Sequence, residues 1–306
     1  MDQIHIIFIK KEILKKSIQI LFFSYNFLGD YMKKIIVIIL VILAFFLTNK
    51  ITNYYKENDI IMKQLKTIEK KYKKKAKDAI VIGDNIIPGI KGKTINYNES
   101  YRRIKTYGKM NENLITTKEV IPTISIEDNY DKYIIKGNNE KRYISLVFKV
   151  EKNTNINKIL SILKNNKVNA TFFVDGKYIE DNINIIKSNN NHEYEVLSYN
   201  NEYNKSIMKT TFSYLESLTK KKLLYCYTEE NNDYLKDLCK EEKMHTIKPS
   251  LVITNHLYNN IKNNIQPSQI VSININNYNE DDLSISIKYL KSKGYKLVLL
   301  KELISE

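Results

Sequence analysis

The sequence has no tryptophan, 4 prolines, 8 glycines and 2 cysteines, and of its 49 basic residues only Arg102, Arg103 and Arg142 are arginine. Each scarcity closes off a class of function. Without arginine clusters or a recognition motif, nucleic acid is not the expected partner, although the net charge is +15. Lys, Asn, Ile and Tyr all have AT-rich codons, so part of that charge reflects base composition. The remainder suits an anionic wall polymer, a membrane surface or plain solvation. Cys226 and Cys239 form no CxxC pair, which excludes a zinc ribbon. A cysteine on a strand and one on the following helix could pair outside the cell. Two buried thiols are the favoured reading, because an inward-facing strand cysteine would lie too far from a helix packed behind it. The histidines are His5, His192, His245 and His256, with no close pair among them. No P-loop, GxGxxG, GxSxG or Cys/His nucleophile pattern occurs.

What is present begins with an apolar run over 35–47, preceded by Lys33 and Lys34. Alone it is short of the roughly 20 residues a spanning helix needs, but Tyr31, Met32 and snorkelling lysine stems extend it. No small-x-small cleavage site follows, nor a lipobox cysteine. The expectation is therefore an uncleaved transmembrane signal anchor over 32–50. Lys33 and Lys34 would be cytoplasmic and the rest of the chain extracytoplasmic: a single-pass protein of the cell membrane. Met32-Lys33-Lys34 resembles an ordinary start, so residues 1–31 are set aside as a doubtful N-terminal extension. Tyr54, Ile61, Leu65, Ile68 and Tyr72 then recur at heptad-like spacing, which predicts one helical stalk over 51–79. Pro88, Gly89 and Gly92 mark turns. A helix near 99–107 and strands at 113–120 and 123–126 are expected in a small adaptor region over 80–140, with no chemistry assigned to it.

The organising stretch runs from Arg142 to Val150. Ile144, Leu146, Phe148 and Val150 alternate with Ser145, Val147 and Lys149, as in a nearly buried strand. An amphipathic helix carrying Ile156, Ile159, Leu160 and Leu163 follows, then a strand over 168–174 with Asp175-Gly176 turning the chain. Further strands are expected at 193–198, 223–227, 244–247, 270–275 and 296–300, with helices at 207–218, 234–239 and 283–290. Repeated βα units imply an α/β fold with a mostly parallel sheet.

Ala170-Thr171-Phe172-Phe173 and the closing run from Ile287 through Gly294-Tyr295 to Val298 resemble the polysaccharide deacetylase (NodB homology) family. The resemblance covers 141–306. It implies a distorted, incomplete TIM-like (β/α) barrel with its site at the C-terminal strand ends. The family holds a divalent metal with one Asp and two His, and uses a second Asp as base and a late His as acid. At those positions this chain has Lys149 and Val150 for the two Asp, Leu197 and Asn201 for the metal His, Tyr225 for the Arg of Arg-Pro-Pro-Tyr-Gly, and Asn274 for the late His. Val150 and Leu197 have no donor atom, and an ammonium repels a cation. The resemblance therefore implies a degenerate member: a pseudoenzyme with no catalytic residues and no metal or other cofactor. It would bind cell-wall glycan or an envelope partner. The alternative is an active metal-dependent deacetylase of acetylated wall polysaccharide, with a divalent metal such as zinc. Lys149, Tyr199, Asn201, Tyr225, Tyr227 and Asn274 form the candidate ligand-binding set, because tyrosine rings stack on sugars and asparagine amides both donate and accept. The bland reading pairs Lys149 with Glu151 or Glu195.

Overall fold

The computed structural model describes residues 30–138, 140–200, 202–275 and 280–306. The doubtful extension and Asn201 lie outside the described residues, apart from Asp30 and Tyr31, which open the first helix. The chain divides into two compact units. One runs to Lys71 and adds Ile95–Thr116; the other takes Tyr72–Thr94 and Thr117–Glu306.

In the smaller unit, a helix spans Asp30–Asn58. Its segment Lys34–Asn58, with mean hydropathy 2.5, is long and apolar enough for a membrane span or a signal sequence. The expected single stalk over 51–79 is broken. Asp59, in extended backbone, ends the long helix and caps a new one, Ile60–Thr67, by accepting from the Ile61 amide at 2.9 Å. Asp59 also takes Lys105 Nζ at 2.6 Å and the Tyr101 hydroxyl at 3.2 Å. Those partners lie on the helix Tyr97–Tyr107, which Asn96 caps at its start and Gly108 ends in the left-handed region at φ 92°. Ile61, Met62, Leu65 and Ile104 are buried.

The larger unit carries the strands β1 Ile80–Ile82, β2 Asn85–Ile87, β3 Gly92–Ile95, β4 Thr117–Val120, β5 Tyr133–Ile134, β6 Tyr143–Val150, β7 Thr171–Val174, β8 Glu193–Val196, β9 Tyr225–Tyr227, β10 His245–Ile247, β11 Leu251–Ile253, β12 Ile270–Asn274 and β13 Lys296–Leu297. One sheet runs β11-β12-β6-β7-β8, with β13 on β6; a second runs β1-β2-β5-β10-β9; β3 and β4 form a two-stranded sheet. Every pairing given in the main sheet is parallel, as βαβ crossovers require. The two large sheets enclose an α/β core without closing into a barrel.

An adaptor over 80–140 set apart from a domain over 141–306 does not describe this arrangement. β2 pairs with β5, and β5 pairs with β10, so residues on both sides of 141 build one sheet. Within 80–140 only Thr117–Val120 of the expected 113–120 strand forms, and Ser125 caps a single 3-10 turn where a strand over 123–126 was expected. Asp175-Gly176 is not a free turn: Asp175 caps the helix Gly176–Asp181. β11 and the helix Leu257–Asn264 have no counterpart in the expected set, and the last strand gives way to the helix Leu300–Ile304.

Strand alternation sorts the core into two layers. Phe148 and Val150 of β6, Phe172 of β7 and Tyr194 of β8 join the cluster that the helices cover, with ring centroids 5.2 and 5.5 Å apart across Phe148, Phe172 and Tyr194. Val147, Phe173, Leu197, Tyr225, Tyr227 and Ile247 fill the inner cluster between the sheets. This alternation corrects the reading of the cysteines. Tyr225 and Tyr227 take the inner face, so Cys226 between them points outward to the helix Asp233–Glu241. There it is disulfide-bonded to Cys239, with Cα atoms 6.4 Å apart, inside the bonding range of roughly 4.4–6.8 Å.

Candidate functional site

The C-terminal strand ends bring together part of the expected set. Parallel register places Asn274 beside Lys149, and Lys149 beside Phe173. Period two turns Lys149 toward the same side as Val147 and sends Val150, fully buried, into the helix-covered cluster. Lys149 Nζ lies 3.4 Å from Glu151 and 4.0 Å from Glu229. Glu195, the other expected partner, is occupied elsewhere: its carboxyl oxygens accept from the Leu224 and Tyr225 amides at 3.1–3.2 Å.

Tyr227 lies under this pair. Its hydroxyl donates to Glu229 at 3.0 Å, so it accepts from Ser272, whose oxygen is 2.6 Å away. Its ring leans on Phe173 at 5.1 Å between centroids. Burial above all holds the Tyr227 hydroxyl in its protonated form. Half-buried Tyr203 also faces the group: burial raises its pKa, Lys149 lowers it and Glu229 raises it. Lys149, Glu151, Glu229, Tyr227, Ser272, Asn274 and Tyr203 thus make a polar mouth built from three strands and three loops.

Tyr199 stands at the rim on the next loop. It donates to Glu180 at 3.1 Å, and Lys177 sits 5.6 Å from its ring centroid. Buried Asp175 locks this corner, taking Ser198 Oγ at 2.7 Å, the Lys177 amide at 2.9 Å and the Asn200 amide at 3.1 Å. Leu197 is buried in the inner core. Tyr225 does not join the mouth: two residues before Tyr227, it lines a cavity at the opposite ends of β9 and β10. Sequence reasoning missed Tyr203, Ser272 and Glu229 as mouth residues. Ser272 was findable, since it precedes Asn274 by two on one strand face.

The donor set does not fit the divalent metal of the family the sequence resembles. At the two aspartate positions stand an ammonium held by carboxylates and a valine turned into the core, and Leu197 offers no lone pair. Among the described residues no three His, Cys, Asp or Glu side chains converge. His192 is spent on the fold: Nδ1 accepts the Ala170 amide at 3.1 Å. Burial first, and Lys221 second, lower its pKa to about 4, so the ring is neutral near pH 7.

Residues 136–265 match the family model for polysaccharide deacetylase. That stretch is a polysaccharide deacetylase-family domain. Among curated proteins, an uncharacterized protein YlxY of Bacillus subtilis (strain 168) is 32% identical over 117 residues, covering 37% of this chain and 37% of its own length. The chain is thus matched to little more than a third of that relative. Among solved structures, wild-type BA3943 of Bacillus anthracis, described as a CE4 family pseudoenzyme, is similar with a TM-score of 0.60 and 22% identity, covering 80% of this chain and 95% of that one. Bacillus subtilis PdaA, a family 4 carbohydrate esterase, is similar with a TM-score of 0.51 and 21% identity over 57% of this chain and 86% of that one. These likenesses show the polysaccharide deacetylase fold, and with BA3943 the likeness reaches well beyond residues 136–265.

Proposed function

We propose that this polysaccharide deacetylase-family protein is a catalytically inactive pseudoenzyme, tethered to the cell membrane through its N-terminal helix, that binds cell-wall glycan at the Lys149 mouth. The observation that carries the reading is the Lys149 cluster itself. Where the family places metal and base, this chain puts a cation balanced by Glu151 and Glu229, and a valine facing away. A carboxylate base and a metal ligand are thereby replaced with groups that can neither take a proton at neutral pH nor hold a cation. The same groups suit binding. Lys149 can meet a sugar carboxylate or wall phosphate as a point charge. Tyr203 and Tyr199 offer ring faces, and Ser272 and Asn274 sit beside them as hydrogen-bonding partners for hydroxyl groups.

The Cys226–Cys239 disulfide supports an oxidising compartment, and Lys33 and Lys34 beside the apolar helix support a cytoplasmic N-terminal flank. Binding of the full chain in detergent to soluble muropeptides and to teichoic acid tests the reading. It requires binding that weakens in Lys149→Ala and Tyr203→Ala. Equal binding by both variants, or none by the parent, would remove the mouth as a working site.

A further inference from the structure

At the end of the inner core opposite the Lys149 mouth, the structure encloses a cavity of about 300 Å³. It lies at the N-terminal ends of β9 and β10, where Tyr225 and His245 are register neighbours. Lys222, Lys243 and Lys301 line it. Among the described residues no carboxylate lies within ion-pair distance of any of the three. Glu127 and Glu306 line the same cavity, but with Lys91 four lysine side chains face two glutamates, so lysine outweighs acid on this concave surface and raises the local positive potential.

The wall of the cavity carries a second observation. His245 is 5% exposed, and its Nδ1 is buried with no hydrogen-bond partner among the described residues. Its ring stacks on Tyr130 at 4.2 Å and 10°, and its Nε2 faces Glu127 at 3.9 Å. Leaving such an atom unmet costs about 1–3 kcal/mol.

We propose that this cavity is a binding site for a small oxyanion, a carboxylate or a phosphate, free or borne on a sugar. The three lysines neutralise the anion. Tyr225 and the Tyr130–His245 stack supply a flat wall against which a sugar ring or carbon skeleton rests. Binding orders the His245 ring at the cavity wall and excludes water from it. The site shares no residue with the Lys149 mouth and stands or falls independently of it.

Titration calorimetry of the full chain in detergent at low ionic strength, with inorganic phosphate and with glucuronate, tests the proposal. The histidine ring carbon–proton spectrum is followed in parallel. Saturable binding of either probe is expected, with the His245 ring resonances shifting and those of His192 unmoved. Phosphate alone marks a phosphate site; glucuronate alone marks a sugar-acid site. The double variant Lys222→Ala, Lys243→Ala should weaken binding at least tenfold, whereas Lys262→Ala, on an exposed face of a remote helix, should not. Should the double variant fail to fold, His245→Gln must still reduce saturable binding in a folded protein. Absence of saturation up to about 10 mM, a weak affinity of only some 3 kcal/mol, would overturn the proposal. So would equal weakening in Lys262→Ala, which would mark diffuse attraction to a basic surface.

Discussion

Lys149 and Asn274 are register partners at the ends of two neighbouring parallel strands. The motif match puts the first aspartate and the late histidine of the family pattern at these two positions. Here a cation and an amide stand side by side. Lys149 is held by Glu151 and Glu229, so the group at the mouth is electrostatically complete without a metal.

That pair is about a third exposed on the lysine side and two-fifths on the acid side. Lys149→Ala should therefore shift stability by no more than about 1 kcal/mol. Lys149→Glu should be worse, because three carboxylates then crowd one mouth. Thermal unfolding of the two variants beside the parent checks both the small loss and the order. A large loss in Lys149→Ala would make the lysine a fold residue rather than a surface group.

The disulfide predicts that Cys226 and Cys239 resist alkylation until reduced. Cys226→Ser with Cys239→Ser should lower stability by about 2–4 kcal/mol, as expected for a short closed loop. Mass spectrometry after alkylation, with and without reductant, reads the first; denaturant unfolding reads the second. Free labelling of the unreduced native protein would contradict the bond.

Glu195 is buried among apolar neighbours, and burial first, then the neighbouring Glu193, raise its pKa well above the ordinary 4.5. In the folded chain it keeps its proton, whereas in the unfolded chain it loses it above that value. A carboxyl with a raised folded pKa costs nothing below pH 4.5 and destabilises increasingly as pH climbs toward the folded pKa. Glu195→Gln accepts the same two amides without titrating. The stability difference in favour of Glu195→Gln should therefore grow from pH 4.5 to pH 7. A constant difference across that range would mean that Glu195 is ionised in the fold.

Much of the fold was legible because hydrophobic alternation is a direct record of strand faces. In the structure Phe148 and Phe172 take the helix-covered layer and Phe173 the inner one, as alternation along the strands requires. The short strands β2 and β5 were not legible: three residues and two residues carry too little periodicity, and β5 pairs with β10 far along the chain. The site was half legible. Matching family motifs placed Lys149, Tyr227 and Asn274 together, but gave Tyr225 to the same mouth. Two residues along a strand amount to about 6–7 Å, enough to move Tyr225 to the opposite end of the core. The disulfide was missed for a related reason, since it depends on which face Cys226 occupies.

Gly176 follows the capping Asp175 and leaves no room for a side chain. A Cβ there would meet Tyr199 Cδ2 at 2.3 Å and Thr211 Cγ2 at 3.2 Å. Gly176→Ala should push the Tyr199 ring from its place beside Glu180 and destabilise by about 1–3 kcal/mol. Unfolding measurements, with the Tyr199 ring resonance as a local probe, check this. An unshifted ring and unchanged stability would show that the corner is loose.

The most direct test of the central claim is metal content measured together with acetate release. The full-length protein, purified in detergent and dialysed against zinc, cobalt or nickel, should hold none of them stoichiometrically and should release no acetate from acetylated chito-oligosaccharide above the buffer rate. A stoichiometric metal with metal-dependent acetate release would contradict the claim, and would mean that groups other than Lys149, Val150 and Leu197 rebuild the reacting centre.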